Sequence, residues 1–350
     1  DEPYNEVDLH ILRQCCAELH VIAAQNRSRE KTALRSLFYN EPYGVAKLES
    51  KRFKHVIAQA IREHYDMIWV HFTETLAYIP EEFQQEKKTL IVLDQHNADE
   101  RFWRTYASQG PPWIRFFAIQ NLIKLRRFQT RLLQRVDVIL SVSEEDAAFT
   151  RARLPNPATK VWVVPNGVEI GSFVPNRPLP ENRIIFCGAM DILMNIDAVV
   201  RFARRVFPEV REIVPDAEFW IVGRNPDDKV RALDSIPGVK VTGQVADVRP
   251  YYAKSKVAVA PFRYGGGTKL KVLEAMALGV PVVATPIGCQ GIKCVSGKHL
   301  LVEEAEEEFA LSVVNLLNDD VLWKSIVVEA RRLVEQRYSW EKILEKVIHQ

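Results

Sequence analysis

Three successive glycines, Gly265, Gly266 and Gly267, are followed by Thr268, Lys269, Leu270 and Lys271, and then by Glu274. Glycines strip every side chain from a turn, so backbone amides are left bare to whatever lies over it. The apolar run Val257 to Phe262 before them reads as a strand, and Thr268 is positioned to cap a following helix. Both lysines then fall in the first helical turn, where the positive end of the macrodipole disfavours a cation by about 0.3–1 kcal/mol each. That placement points to a negative ligand. Lys271 and Glu274 are three residues apart and share one face, while Leu270, Leu273 and Ala277 make the apolar stripe. A phosphate-seeking cation and a hydroxyl-seeking carboxylate one turn apart suit a diphosphate joined to a ribose. The competing reading is a helix with solvated charges after a flexible loop, but three ordered glycines would then lose entropy for no structural gain. A Walker loop is excluded, because it needs Gly-Lys-Ser/Thr and here Thr268 precedes Lys269.

A second candidate is His96. It follows the apolar run Thr89 to Asp94, a buried-strand pattern, and lies in the polar stretch Asp94-Gln-His-Asn-Ala-Asp-Glu100. Strand ends feeding polar loops are where open α/β sheets place ligands. The alternative is a histidine bonded to neighbouring backbone. Further on, Gly188, Gly223 and Gly243 each end a predicted strand, where glycine lets a ligand approach backbone closely or merely makes a strand-to-helix turn. Arg224 either reaches a nucleotide or caps a neighbouring helix.

These groups must be positioned by a chain of 350 residues, long enough for two domains with separate cores. With 47% apolar and 26% charged residues it has the balance of a soluble globular protein, and a net charge of +2 gives no general pull toward nucleic acid. Cys15, Cys16, Cys187, Cys289 and Cys294 show no Cys-x-x-Cys spacing, so neither a metal site nor a disulfide framework is expected. Reduced, buried thiols of a cytosolic protein are the expectation, with neither a signal peptide nor a membrane-spanning run. Residues 113 to 135 carry bulky apolar groups and six basic residues on a long helix pattern. Such a helix either lies on an anionic membrane surface or packs one face on a sheet and solvates the other.

Before residue 165 the strand patterns are His20 to Ala24, Met67 to Phe72, Thr89 to Asp94, Asp137 to Ser143 and Val161 to Pro165. Asn166-Gly167 and the prolines at 175, 178 and 180 mark a linker, so the boundary is placed there. Afterwards strands and helices alternate regularly, which predicts a parallel sheet with helices on both faces.

Taken together, Phe186-Cys-Gly-Ala-Met-Asp191, Trp220-Ile-Val-Gly-Arg-Asn-Pro226, Val241 to Pro250, Gly265 to Gly279 and Arg337-Tyr-Ser-Trp340 resemble the retaining glycosyltransferases of family 4, in the family's order. The triple-glycine loop is similar to that of one branch. Val163 to Val168 matches the interdomain segment. The resemblance implies a GT-B fold: an incomplete Rossmann-like domain over 1–165 lacking its first strand-loop-helix unit, a nucleotide-sugar-binding Rossmann-like domain over 166–337, and a C-terminal helix over 338–350 that crosses back. It also implies roles. Glu274 looks like the carboxylate on the donor ribose, Gly265, Gly266, Gly267, Thr268 and Lys269 like the loop under the diphosphate, and Lys271 like a second cation there. His96, with Asn97 beside it, looks like the histidine reaching toward the donor sugar, Val245 like the backbone contact to the base, and Gly188 and Arg224 like further donor contacts. Where many relatives carry an Arg/Lys pair after Gly188, this chain has Asp191, Met194 and Asn195.

The expected activity is metal-independent transfer of a sugar from a UDP- or GDP-sugar to a glycan, lipid or small-molecule hydroxyl, with retention, in polysaccharide or glycoconjugate synthesis. The nucleotide-sugar is a co-substrate and no cofactor is expected. The alternatives are a nucleotide-sugar-binding pseudoenzyme or subunit, and an epimerase of the same fold. The expected location is the cytoplasm, with peripheral membrane contact through residues 113–135.

Overall fold

The computed structural model describes residues 6–22, 29–39, 41–63, 65–80, 89–96, 99–109, 112–170 and 181–348. The chain divides into two compact units that interleave in sequence. Residues 1–96, 112–140 and 150–162 form the first, and residues 97–111, 141–149 and 163–350 the second. Segments 97–111 and 141–149, which precede the expected boundary near 165, therefore pack within the second unit.

The first unit is built on a four-stranded sheet in the order β1 (Met67–His71), β2 (Leu90–Gln95), β3 (Val138–Ser141), β4 (Lys160–Val163). β2 is internal, and its unbroken apolar run is the signature of a strand covered on both faces: Ile91, Val92 and Leu93 are all buried. β1 runs parallel to it with Met67 opposite Leu90 and His71 opposite Asp94. The helix Lys51–Ala60 starts where the Ser50 side chain accepts from the Phe53 amide. The helix Pro112–Leu133 opens on a proline, whose missing N–H is no loss at that position. It buries Ala118, Leu125, Leu132 and Leu133 and leaves Phe116, Ile119 and Ile123 more than half exposed.

The strand expected at His20–Ala24 does not form: residues 16–22 are irregular after the helix Glu6–Cys15, and 23 and 24 lie outside the described residues. A β-branched pair was too short a signal without a neighbouring strand to pair with. The cysteines also depart from expectation, since only Cys187 is buried, Cys289 and Cys294 are half-buried, and Cys15 and Cys16 are exposed.

The second unit carries a six-stranded parallel sheet, β5 (Arg183–Cys187), β6 (Glu218–Val222), β7 (Val239–Gly243), β8 (Val257–Ala260), β9 (Val282–Ala284) and β10 (Leu301–Val302). The spatial order is β10-β9-β8-β5-β6-β7, so the sequence runs outward one way from β5 and then the other way from β8. The order reverses between β5 and β8, and the crevice beyond their carboxyl ends is where doubly wound sheets bind ligands.

The helical stretch Leu193–Ile213 shows how one residue shapes its neighbours. Pro208 has no N–H to give to the preceding turn, and residues Phe202–Val206 widen into a π-helical segment in which the Phe207 amide reaches the Phe202 carbonyl. The widened turn brings Phe202 against Phe219 at 4.6 Å between ring centroids and against Phe309 at 6.0 Å. Each such ring contributes about 1.5–3 kcal/mol by leaving water, which fixes the helix against the sheet. Among the described residues, no helix is long and apolar enough to cross a membrane.

Candidate functional site at the β5/β8 switch point

Gly188 follows the last residue of β5 and Gly223 the last residue of β6, and the two glycines meet backbone to backbone. A Cβ on Gly223, whose φ is +150°, would fall 1.8 Å from the Gly188 carbonyl oxygen. A Cβ on Gly188 would fall 2.5 Å from Lys271 Nζ and 3.0 Å from Asn195 Nδ2. The bare rim predicted from the glycine-ended strands is therefore needed by the packing itself, and it opens directly onto the lysine.

Lys271 lies in the helix Leu270–Ala277. Its ammonium donates to Asn195 Oδ1 at 3.0 Å and stands 4.0 Å from the centre of the Phe186 ring and 5.0 Å from that of Phe262. Asn195 is held in turn by donating to the Ala189 carbonyl at 2.8 Å. Burial of the ammonium pushes the Lys271 pKa down to about 7, against opposing help from Cys187 and Glu274 and with Lys269 adding to the fall. Part of the residue still reaches solvent, but the charge itself sits between two aromatic faces and one amide. Burial likewise raises the Glu274 pKa, with Lys271 opposing. Glu274 is one turn from Lys271 on the same helix, as the spacing predicted.

Two expectations for the glycine loop are corrected. Thr268 does not cap the helix: Lys269 occupies the capping position without a side-chain cap bond, and Thr268 Oγ1 is buried with no hydrogen-bond partner. The reason is packing, because Thr268 is pressed against Gly291, where a Cβ would lie 2.5 Å from its oxygen. Lys269 does not face outward either. It is 4% exposed, and its ammonium donates to the carbonyls of Gly266 at 2.8 Å and Gly267 at 3.0 Å. Burial pushes its pKa down to about 8, with Asp146 opposing. Lys269 thus ties the loop together from inside, and φ values of +125° at Gly265 and +69° at Gly267 show why side chains are absent there. The apolar stripe also differs, since Leu270 is 41% exposed and Val272, Leu273, Ala275 and Met276 form the buried face.

Glu274 borders a cavity of about 460 Å³ with Gly167, Asp247, Arg249, Leu270 and Trp340. Val245 borders a second, of about 610 Å³, with Trp220, Gln244, Asp247 and Tyr251. Asp247 is common to both. Arg249 clasps its carboxylate with Nε 2.9 Å from each oxygen and holds it below the usual carboxylate range. Arg224 is exposed, and its carbonyl accepts from the Met190 amide at 2.8 Å.

In the first unit His96 stands at the end of β2, its ring stacked on Phe72 at 4.7 Å and its Nε2 3.6 Å from Asp94 Oδ2. Asn97 lies outside the described residues. Sequence reasoning missed Asn195 as the partner of Lys271, and it missed His71, whose Nδ1 is 3.0 Å from the same Asp94 oxygen. The signal for the second was available: a histidine ending one strand opposite Asp-x-His ending its neighbour.

Comparison with known proteins bears on both units. The family model described as Glycosyltransferase Family 4 matches residues 12–171, and that described as Glycosyl transferases group 1 matches residues 181–319. A phosphatidyl-myo-inositol mannosyltransferase of Mycolicibacterium smegmatis is 26% identical over 235 residues, covering 64% of this chain and 58% of its own. A putative teichuronic acid biosynthesis glycosyltransferase of Bacillus subtilis is 33% identical over 183 residues, covering 48% of this chain and 44% of its own. The chain spans 58%, 45% and 51% of the length of three curated relatives that it matches. Among solved structures, a sucrose-phosphate synthase from Thermosynechococcus elongatus superposes with a TM-score of 0.67 at 18% identity, covering 95% of this chain and 84% of its own. Anabaena HepE in complex with UDP-glucose superposes with a TM-score of 0.64 at 16% identity, covering 89% of this chain and 83% of its own. Two parallel-sheet α/β units give the chain a GT-B fold, and each half is similar to a glycosyltransferase family model, Glycosyltransferase Family 4 over the first and Glycosyl transferases group 1 over the second.

Proposed function

We propose that this protein transfers a sugar from a nucleoside-diphosphate sugar to an acceptor hydroxyl in glycoconjugate synthesis, with retention of anomeric configuration. The observation that carries this reading is the Lys271 ammonium, lodged beneath Gly188 at the switch point with Glu274 one turn along the same helix. A desolvated cation beside bare backbone is suited to an anion, and its charge is recovered when a diphosphate arrives. Glu274 then accepts from ribose hydroxyls, and the cavity beside Val245 takes the base.

In the proposed reaction the bond from the anomeric carbon to the diphosphate oxygen breaks and a bond from that carbon to the acceptor oxygen forms. The acceptor proton passes to the departing diphosphate. Charge grows on the diphosphate, and Lys271 and the amino end of the Leu270–Ala277 helix stabilise it without a metal. The protein is proposed to work in the cytoplasm. The helix Pro112–Leu133 is proposed to rest on an anionic membrane, because Phe116, Ile119 and Ile123 form an exposed stripe at helical spacing beside Arg115, Arg126 and Arg127.

The test is to offer UDP- and GDP-sugars with glycan and lipid acceptors and follow release of nucleoside diphosphate and the anomeric configuration of the product. Acceptor-dependent release with a retained linkage is expected. Binding of nucleotide without any release would identify a binding protein, and acceptor-independent isomerisation of the donor sugar an epimerase.

A further inference from the structure

The ends of β1 and β2 bring together three side chains, of which the sequence singled out only His96. His71 and Asp94 are directly opposite in the parallel register, and His96 lies two residues beyond Asp94. Asp94 Oδ2 is 3.0 Å from His71 Nδ1 and 3.6 Å from His96 Nε2, and the three candidate ligand atoms all lie within 4.8 Å of one another. The two imidazoles are stacked at 5.8 Å between centroids and 30° between planes. We propose that His71, Asp94 and His96 form a binding site for a divalent transition cation of the Zn²⁺ class.

The distances favour this. Two atoms each about 2.0–2.2 Å from one tetrahedral metal stand about 3.4 Å apart, and the two separations from Asp94 bracket that value. The remaining gap closes by rotating the imidazoles, which are both partly exposed, about their soft ring torsions. Two imidazole nitrogens and one carboxylate oxygen select Zn²⁺, Co²⁺, Ni²⁺ or Cu²⁺ over Mg²⁺ or Ca²⁺, which prefer oxygen alone. Three protein ligands leave at least one coordination position open.

The backbone around the cluster is held in place. Phe72, between His71 and the next turn, has a φ of +66°, a conformation that a bulky residue adopts only when its surroundings impose it. Its amide donates to the Asp94 carbonyl at 3.1 Å, and its carbonyl accepts from Thr75 Oγ1 at 2.8 Å. The strained turn fixes the Phe72 ring over His96 and so sets the imidazole facing Asp94. Because the family resemblance also implies that His96 reaches toward the donor sugar, occupancy of the site would withdraw it from the proposed transfer reaction. That consequence rests on the proposed function, whereas the site itself rests on the geometry of the first unit.

The experiment is titration of the full chain, carrying Cys15, Cys16, Cys289 and Cys294 as serines to remove competing thiols, with Zn²⁺ by calorimetry and with Co²⁺ by visible absorption. One equivalent of Zn²⁺ at micromolar affinity or tighter is expected, with a Co²⁺ spectrum of low coordination number. His71→Ala, Asp94→Asn and His96→Ala should each weaken binding at least tenfold while melting in metal-free buffer at a temperature close to that of the parent. Absence of binding at millimolar Zn²⁺, or affinity unchanged in both His71→Ala and Asp94→Asn, overturns the site. Binding that depends on all three residues, in a protein that releases no nucleotide from any donor, supports the metal site and counts against the transferase reading alone.

Discussion

The ammonium of Lys271 donates to Asn195 Oδ1 at 3.0 Å directly below the backbone of Gly188. On the proposed function the amide stands in for part of the diphosphate. Removing the charge should therefore be felt in ligand binding more than in folding. Lys271→Met is expected to weaken nucleoside-diphosphate binding by about 10–100-fold, the range of a lost charge-assisted hydrogen bond. Glu274→Ala should weaken it about tenfold. Calorimetric titration with UDP and GDP measures both, and undiminished affinity in the two variants would sink the site.

Lys271 has its pKa pushed down to about 7 by burial, from an ordinary value of 10.5. That fall corresponds to a penalty on the charged form on the order of 5 kcal/mol. Between the two values the folded protein binds fewer protons than the unfolded chain, so this group makes the empty protein more stable as pH rises from about 7 toward 10.5. A bound diphosphate reverses the preference and draws a proton onto the lysine. At pH 8 nucleotide binding should take up close to one proton, seen as a buffer-dependent enthalpy, and the uptake should largely vanish in Lys271→Met.

Two neighbouring glycines should fail in different ways. In Gly188→Ala the new methyl meets the mobile end of Lys271 at 2.5 Å, which can move aside, so binding should fall about tenfold with a change in stability of about 1 kcal/mol or less. In Gly223→Ala it meets the Gly188 carbonyl at 1.8 Å, which cannot, and φ is +150°. Loss of several degrees in melting temperature is expected, with comparable loss of soluble yield.

His96→Ala should reduce turnover at least a hundredfold while changing nucleotide affinity less than threefold, if the side chain meets the donor sugar, as the family resemblance implies, and not the diphosphate. Steady-state rates beside binding isotherms decide this. Equal loss of both would make the histidine structural.

Phe116→Glu together with Ile123→Glu should abolish co-sedimentation with vesicles containing anionic lipid and leave melting unchanged, since both side chains are more than half exposed. Binding that persists would remove the membrane role.

The second unit was legible because its inner strands β5, β8 and β9 are buried on both faces and because strands run into glycine-led turns, as at Cys187-Gly188 and Val222-Gly223. That Lys271 and Glu274 would share one helix face was legible because i, i+3 spacing survives any detail of packing. Lys269 was not. Whether a lysine beside a glycine loop points out or turns back onto that loop's own carbonyls depends on the loop's φ values, which composition does not encode. Thr268 was misread for a similar reason, because its neighbour Gly291 is 23 positions away and leaves its hydroxyl no room to cap. Asn195 stood out only as a departure from a lysine-bearing pattern, and its partnership required the fold.

The interleaving of the two units has a practical side. Arg101 donates to Asp146 at 3.0 Å and Tyr106 lies against Tyr264 at 4.9 Å, so pieces from before residue 150 complete the packing around the glycine-loop helix. A fragment beginning at residue 166 would leave Tyr264 uncovered and Lys269 without the balancing Asp146 carboxylate. Expressing that half alone should yield a loosened, aggregation-prone polypeptide, and anyone wishing to dissect the protein will need to cut it in three dimensions by point substitution instead of along its length.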